Sequence, residues 1–225
     1  MNNYVIVVAG GSGTRMKSEI PKQFLELAGK PILMHTLERF VTFDPAIKII
    51  LVLPEAHQST WKELCIRHAF AIKHSVVNGG ETRFHSVKNG LNTISGDGIV
   101  AVHDGVRPLV SISTIRRCFE DAKMMGNAIP CIPVHETIRQ IEGDSSKLID
   151  RSALRLVQTP QVFEIRLLQQ AFNQEYQSFF TDDASVLEYK GEKINLVDGN
   201  RENIKITEPA DLVLAKSVIE AGGLD

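Results

Sequence analysis

Two patterns of apolar residues alternate along the first part of the chain. Short unbroken apolar runs, rich in β-branched residues, are separated by segments in which apolar residues recur every three or four positions. The runs are typical of strands buried on both faces of a sheet, and the recurring spacing is typical of covering helices. Strands are predicted at residues 5–9, 47–54, 72–77, 98–104 and 127–134. The alternation predicts an α/β fold with a Rossmann-like, mostly parallel sheet and helices on both faces.

Residues 136–160 depart from this pattern. Polar and apolar residues alternate there on both sides of a turn that begins with Gly143 and Asp144. This arrangement predicts a β-hairpin arm that projects from the domain and is suited to dimerisation. The α/β pattern then resumes, with strands predicted at 193–199 and 203–207, so residues 1–225 are expected to form one domain.

Composition excludes several classes of protein. The net charge of −2 disfavours bulk electrostatic attraction to nucleic acid or to an anionic membrane. Cys65, Cys118 and Cys131 lack metal-site spacing, which favours a reducing compartment over a disulfide framework, and Cys118 and Cys131 are expected to be core thiols. No segment reaches the roughly 20 consecutive apolar residues of a membrane span, so a cytoplasmic protein is expected.

A glycine-rich loop follows the first predicted strand and continues into Arg15, Met16 and, shortly afterwards, Lys22. A Walker A loop would need a lysine directly after Gly13, and a dinucleotide fingerprint would need glycine or alanine at Met16. Neither requirement is met. The sequence GGSGTRM followed by PKQ instead favours a nucleotidyltransferase loop.

The residue types of this loop suit a triphosphate. Glycines let backbone amides approach a nucleotide closely. Arg15 offers a planar fork and Lys22 a point charge, and together they could neutralise the charge that builds on the α-phosphate and on leaving pyrophosphate. The alternative is a solvated pair of cations beside a tight turn.

A second set of candidates lies at the end of the strand predicted at 98–104. Asp104 could bind a Mg²⁺ ion that bridges phosphates, or it could bind a sugar hydroxyl. Arg107, three positions later, could contact a substrate phosphate or a polyol. His103 is expected to be structural, because phosphoryl-type transfer needs positioning and charge stabilisation rather than an imidazole.

Two further candidates occur late in the chain. Lys205 stands between Ile204 and Ile206, and alternation along a strand would turn it to the opposite side from both. A lysine inside such a strand is unusual unless it reaches a phosphate or the strand end. Asp182 or Asp183 is expected to cap the following helix, and capping is the interpretation favoured for Asp183.

Six motifs in order connect these candidates to a family. They are AGGSGTRM with PKQF, GGETRFHSV, VHDGVRP, DR with TPQ, TDDASVLEYKG and NIKIT. The chain resembles the 2-C-methyl-D-erythritol 4-phosphate cytidylyltransferases of the non-mevalonate isoprenoid pathway over nearly its whole length. Ribitol-5-phosphate cytidylyltransferases share most of these motifs, but the DR pair and TDDAS favour the methylerythritol branch.

The resemblance implies a fold of the nucleotide-diphospho-sugar transferase type and a Mg²⁺-dependent reaction. CTP and methylerythritol phosphate would give CDP-methylerythritol and pyrophosphate, in a homodimer with shared active sites and with no nucleic-acid or membrane partner. A non-catalytic nucleotide-binding module is the alternative of another class. Arg15, Lys22 and Lys205 together disfavour it, since a mere binder need not stabilise a transition state.

The resemblance also assigns roles to residues. Thr137, Arg151 and Thr159 match positions that contact methylerythritol phosphate, and Arg151 matches the arginine donated by the neighbouring subunit. The predicted site comprises catalytic Arg15, Lys22 and Lys205; CTP-binding Ala9, Gly10, Gly11, Gly13, Gly80, Glu81, Ser86, Asp104 and Gly105; substrate-binding Arg107, Thr137, Arg151 and Thr159; and Asp104 as the metal ligand.

Overall fold

The computed structural model describes residues 1–11 and 20–223. The strands are β1 (Asn2–Val8), β2 (Glu26–Leu27), β3 (Lys30–Pro31), β4 (Lys48–Leu53), β5 (Ser75–Asn78), β6 (Gly98–Asp104), β7 (Asn127–Pro133), β8 (Ile138–Glu142), β9 (Ser145–Ile149), β10 (Arg155–Val157), β11 (Gln161–Glu164) and β12 (Leu196–Asp198). The α-helices are α1 (Ile32–Phe43), α2 (Glu55–Arg67), α3 (Arg83–Leu91), α4 (Ile112–Met125), α5 (Ile165–Phe172), α6 (Asp183–Glu188) and α7 (Pro209–Glu220).

The main sheet has the order β10-β7-β11-β6-β1-β4-β5, with β12 paired to β7. Strands β6, β1, β4 and β5 run parallel. Val5 and Val7 face an apolar cluster that includes α1 and α4, whereas Ile6 faces a second cluster that includes α3 and α5. Both faces of the sheet are therefore covered by helices, as the unbroken apolar runs predict.

Strand β11 is the part of the sheet that the apolar pattern does not reveal. It runs antiparallel to both β6 and β7, between them. Strand β7 also pairs with β12. The sheet is thus mixed: β6, β1, β4 and β5 form its larger parallel part, and β12 pairs in parallel with β7.

Residues 203–207 do not form the predicted strand. Ile206 N donates to Val106 O at 2.9 Å, but the segment makes no ladder with the main sheet among the described residues. Ile206 is buried and Ile204 packs against the same cluster, between α7 and the loop after β6. The alternation of apolar and polar residues reflects this packing of an extended segment rather than strand pairing.

The predicted hairpin arm is present. Strands β8 and β9 pair from Ile138↔Ile149 to Glu142↔Ser145 around the turn at Gly143 and Asp144. Gly143 has a φ of 60°, a left-handed conformation that glycine adopts without steric cost. Strand β10 then pairs with β7, so its residues belong to the main sheet rather than to the projection.

Side chains cap the first turns of α4 and α6. The hydroxyl of Ser111 accepts a hydrogen bond from Thr114 N at 3.0 Å, and Gly126, at φ 85°, ends α4. At α6 the cap is Asp182, whose side chain accepts from Ser185 N at 2.9 Å. The capping role favoured for Asp183 is wrong, because that side chain is fully buried and points to an arginine instead.

In the described part of the chain, no helix combines the length and apolar character needed to cross a bilayer. All three cysteines are free, and Cys118 and Cys131 are buried, as predicted for core thiols. Burial raises the pKa of Cys118 to about 12, so its thiol stays protonated and unreactive at neutral pH.

Candidate active site

A cavity of ≈ 460 Å³ opens at the carboxyl ends of β1, β4, β5 and β6. Parallel α/β sheets bind ligands at these carboxyl ends of their strands. A wider groove of ≈ 1090 Å³ lies at the opposite ends of β4 and β5 and contains none of the predicted site residues. The smaller cavity contains many of them: Ala9, Gly10, Gly11, Lys22, Gly80, Glu81, Ser86, Asp104 and Lys205.

The PKQ motif forms one wall of this cavity. Lys22 begins a short 3₁₀ turn, and a Cβ on Gly11 would lie 3.5 Å from Lys22 Cε. The next residue, Gln23, is buried and donates from Nε2 to Ala9 O at 2.8 Å. Gln23 thereby fixes Lys22 beside the end of β1. Gly13 and Arg15 lie outside the described residues.

The GGETRF motif forms the opposite wall. Gly80 N donates to Ser86 Oγ at 3.0 Å, and Glu81 is exposed at the cavity rim. A Cβ on Gly80 would stand 2.4 Å from His85 Cβ, so no larger residue fits without movement of α3. Gly105 is a packing glycine: its Cβ would lie 2.9 Å from Ala9 Cβ, and it is not among the residues that line the cavity.

Asp104 is the centre of a charged cluster at the base of the cavity. Its Oδ2 lies 3.0 Å from Lys205 Nζ and 3.2 Å from Arg107 Nε, and its Oδ1 lies 3.8 Å from Arg83 Nε. Burial would raise the pKa of Asp104, but the charges of Arg83, Lys205 and Arg107 outweigh it and hold that pKa well below its usual range. The cluster is therefore charged at neutral pH and presents cations to both sides of one carboxylate.

A second cavity of ≈ 230 Å³ lies beyond this cluster and shares Arg83, Asp104 and Lys205 with the first. Arg107 and Thr159 line it, and Thr159 Oγ1 accepts a hydrogen bond from Asp104 N at 3.1 Å. The shared residues form a wall between two adjoining binding spaces. Two groups bound on either side would meet at Asp104 and Lys205.

Two predicted substrate-binding residues stand apart from both cavities. Thr137 and Arg151 are exposed at the base of the arm, and neither lines the first or the second cavity. Arg151 donates from Nη1 to His135 O. The single chain therefore does not bring these two residues together with Arg107 and Thr159.

His103 is fully buried beside this cluster. Its Nε2 lies 3.0 Å from Arg107 O, and its Nδ1 lies 3.0 Å from Thr159 Oγ1. Burial lowers the pKa of His103 to about 4, so the ring is neutral at physiological pH. These contacts fit the structural role predicted for it.

The buried ring has a consequence for stability. Between about pH 6.5 and 4 the unfolded chain protonates His103 and the folded chain does not, so the unfolding free energy falls as the pH falls. We expect His103 to contribute a loss of about 2 kcal/mol between pH 7 and pH 5. Urea unfolding at both pH values tests this. The His103→Gln variant, which cannot take up this proton, should lose about 2 kcal/mol less over the same interval, and an equal loss would contradict the assignment.

Sequence reasoning missed several residues that build the site. Arg83 contacts Asp183 and faces Asp104, and Asn203 donates to Thr159 O while its own carbonyl accepts from Arg107. Arg83 directly follows a helix cap, where exposed arginines are ordinary, so only the tertiary fold reveals it. Asn203 is fully buried, which its polar neighbours in the sequence do not suggest.

Comparison with known proteins identifies the family. The profile of the family described as "IspD: 2-C-methyl-D-erythritol 4-phosphate cytidylyltransferase" matches residues 3–221. The chain belongs to this cytidylyltransferase family. A family member from Bacteroides thetaiotaomicron is 53% identical over 219 residues, covering 97% of this chain and 100% of the relative. A Geobacillus kaustophilus cytidylyltransferase is 38% identical and covers 97% of each chain.

Solved structures of the cytidylyltransferase family share the fold. The crystal structure of 2-C-methyl-D-erythritol 4-phosphate cytidylyltransferase from Thermus thermophilus superposes with a TM-score of 0.80 at 32% identity. The match covers 98% of this chain and 100% of that chain. The two cavities described above therefore lie within a cytidylyltransferase fold.

Proposed function

We infer that the chain transfers a cytidylyl group from CTP to 2-C-methyl-D-erythritol 4-phosphate and releases pyrophosphate, as its family membership implies. The observation that carries the inference is the pair of adjoining cavities that share Asp104 and Lys205. Such a pair suits a reaction in which two phosphates must meet. The larger cavity takes the nucleotide, and the smaller takes the polyol phosphate.

The chemistry is an in-line displacement. An oxygen of the polyol phosphate attacks the α-phosphorus of CTP, a new P–O bond forms, and the bond to pyrophosphate breaks. Lys22 neutralises charge on the triphosphate from the side of the glycine loop. Lys205, held at Asp104, reaches the meeting point of the two cavities and pairs with the phosphate that attacks. No side chain becomes covalently linked, because positioning and charge stabilisation suffice for this transfer.

The wall that the GGETRF motif forms in the larger cavity suits a flat base. Gly80 and Ser86 bring a backbone segment to the cavity surface without a side chain on Gly80. Acceptors on this segment and on Glu81 would face the exocyclic amino group of cytosine, which uracil lacks. We assign the preference for CTP to this segment.

A Mg²⁺ ion fits the donor set at Asp104. Oδ2 holds Lys205 and Arg107, whereas Oδ1 lies 3.8 Å from Arg83 Nε, beyond hydrogen-bond distance, so Oδ1 is the oxygen that would hold the ion beside the Arg83 guanidinium. No group of three or more candidate metal-ligating side chains occurs among residues 1–11 and 20–223, so the remaining ligands would be phosphate oxygens and water. When bound there, Mg²⁺ supplies charge neutralisation of the triphosphate.

We propose that the enzyme works as a homodimer in which the arm completes the partner's site. Thr137 and Arg151 lie outside the cavities of their own chain. The arm and its base expose large apolar side chains that a partner would cover, namely Ile141, Leu148, Leu156 and Val157. Arg151 suits a terminal phosphate, because its guanidinium can donate to two oxygens at once.

The decisive experiment measures pyrophosphate release by the purified enzyme with CTP and Mg²⁺. We expect release with methylerythritol phosphate, and none when UTP replaces CTP or when the polyol phosphate is omitted. Ribitol 5-phosphate is offered in parallel, since it is the substrate of similar enzymes. Release with ribitol 5-phosphate alone would overturn the substrate assignment.

A further inference from the structure

Arg83 occupies the wall between the two cavities and lines both of them. It is the first residue of α3 and follows the capping residue Thr82. The start of the helix thus carries a guanidinium to the place where the two substrates would meet. None of the roles assigned above uses this cation.

The three nitrogens of Arg83 are directed to two different carboxylates. Nη1 and Nη2 donate to Asp183 Oδ1 and Oδ2 at 2.9 and 2.7 Å. Nε lies 3.8 Å from Asp104 Oδ1. The bidentate pair with Asp183 fixes the plane of the guanidinium, and that plane turns the Nε edge toward Asp104.

Asp183 is itself held rigidly. Its side chain is fully buried, and its backbone N donates to Gln161 Oε1 at 3.0 Å. Gln161 also donates from Nε2 to Asp182 Oδ2 at 2.7 Å. Gln161 begins β11, which pairs with β6, the strand that ends in Asp104. Asp104 is thus held by β6 itself, and Asp183 is held by the neighbouring strand β11 through Gln161. Arg83 lies between the two carboxylates.

We propose that Arg83, anchored by Asp183, is a positioning residue that keeps the Asp104 carboxylate, and through it Lys205, in the arrangement that transfer requires. The proposal rests on the function inferred above. Lys205 and Arg107 both hold Oδ2, so rotation of the carboxylate would release them together. A cation fixed beside Oδ1 opposes that rotation. Lysine cannot replace Arg83, because a single nitrogen cannot pair with both oxygens of Asp183 and also face Asp104.

A purely structural role is the competing explanation. Arg83 would then only neutralise the buried Asp183, and the two charges could be removed together without harm to function. Replacing a buried ion pair with apolar residues of similar size is often tolerated, whereas removing one partner leaves a costly uncompensated charge. The double variant Arg83→Met with Asp183→Leu therefore separates the two roles.

The test compares Arg83→Lys, Asp183→Asn and this double variant with the wild type. The measurements are the melting temperature, the Kd for CTP, and kcat and KM for methylerythritol phosphate. We expect Arg83→Lys to lower kcat about 10- to 100-fold, with the Kd for CTP changed less than about threefold. Asp183→Asn should also lower kcat. The double variant should have a melting temperature close to that of the wild type, but its kcat should stay as low as that of the single variants.

Arg166→Lys provides the matched control, because Arg166 also makes a two-pronged pair with one carboxylate, donating from Nε and Nη2 to Asp97 on the exposed surface. It should leave kcat unchanged. Recovery of kcat in the double variant, or a normal kcat in Arg83→Lys, would overturn the positioning role while leaving the proposed function intact. A wild-type enzyme inactive with both polyol phosphates would overturn the proposed function and this inference together.

Discussion

Replacing Lys22 with alanine is expected to lower kcat by about 10²- to 10³-fold while the chain stays folded. Lys22 is half-buried, lines the nucleotide cavity and lies against Gly11. Negative charge grows on the triphosphate oxygens as pyrophosphate departs. A fixed ammonium group stabilises that charge more in the transition state than in bound CTP, so kcat is affected more than binding. Pyrophosphate release under saturating CTP and methylerythritol phosphate measures the loss.

Two further variants isolate the charge of Lys22 from its packing. Lys22→Met keeps the aliphatic stem near Gly11 and should lose as much activity as Lys22→Ala. Lys48→Ala removes a lysine from the start of β4, at the end of that strand opposite to the nucleotide cavity, and should leave kcat unchanged. Melting temperatures of all three should stay close to that of the wild type. A normal kcat for Lys22→Ala would refute the catalytic assignment.

The place of Lys22 beside the glycine loop could be predicted from the sequence, because the motifs that indicate it are local. The glycine loop and the PKQ motif lie close together along the chain, and the preceding apolar run predicts the strand that carries them. The parallel strands and their covering helices were predicted for the same reason, since apolar periodicity reports which faces of each segment are buried. These features depend on neighbouring residues alone.

The residues that sequence reasoning missed depend on contacts between distant segments. Arg83 and Asp183 are 100 positions apart and meet only because β11 enters the sheet beside β6. Strand β11 has a short apolar run that merges with α5 in the sequence, so nothing local marks its antiparallel direction. The error at Asp183 has the same origin, because two adjacent aspartates offer equal local caps and only the pairing of the buried Asp183 with Arg83 decides between them.

Residues 203–207 show a different limit of structure prediction from the sequence pattern. Its alternation of apolar and polar residues is real, and Ile206 is buried while Lys205 reaches Asp104. Alternation requires only an extended backbone with one side packed. Pairing with a neighbouring strand is a separate, nonlocal condition. The side-chain directions were therefore predicted correctly from a strand that does not form.

Arg151 is expected to act in the partner's active site, and loss of its side chain should be severe. Arg151→Ala should lower kcat/KM for methylerythritol phosphate by about 10²-fold or more, because the substrate phosphate loses a two-pronged charged donor. Lys22→Ala acts in the body of the same site. If Arg151 serves the partner's cavity, both sites of each homodimer carry one lesion. In a heterodimer of the two variants, both lesions fall in the same site and the other site is intact.

Mixing the two inactive variants, with unfolding and refolding to exchange subunits, is therefore expected to restore activity. In a heterodimer, one site receives both lesions and the other receives neither. Random pairing makes about half of the dimers heterodimers, so the mixture should regain about one quarter of wild-type activity. Mixing either variant with itself under the same treatment is the control and should restore nothing. If Arg151 acted in its own chain's cavity, each heterodimer site would keep one lesion, and the mixture would stay as inactive as its components.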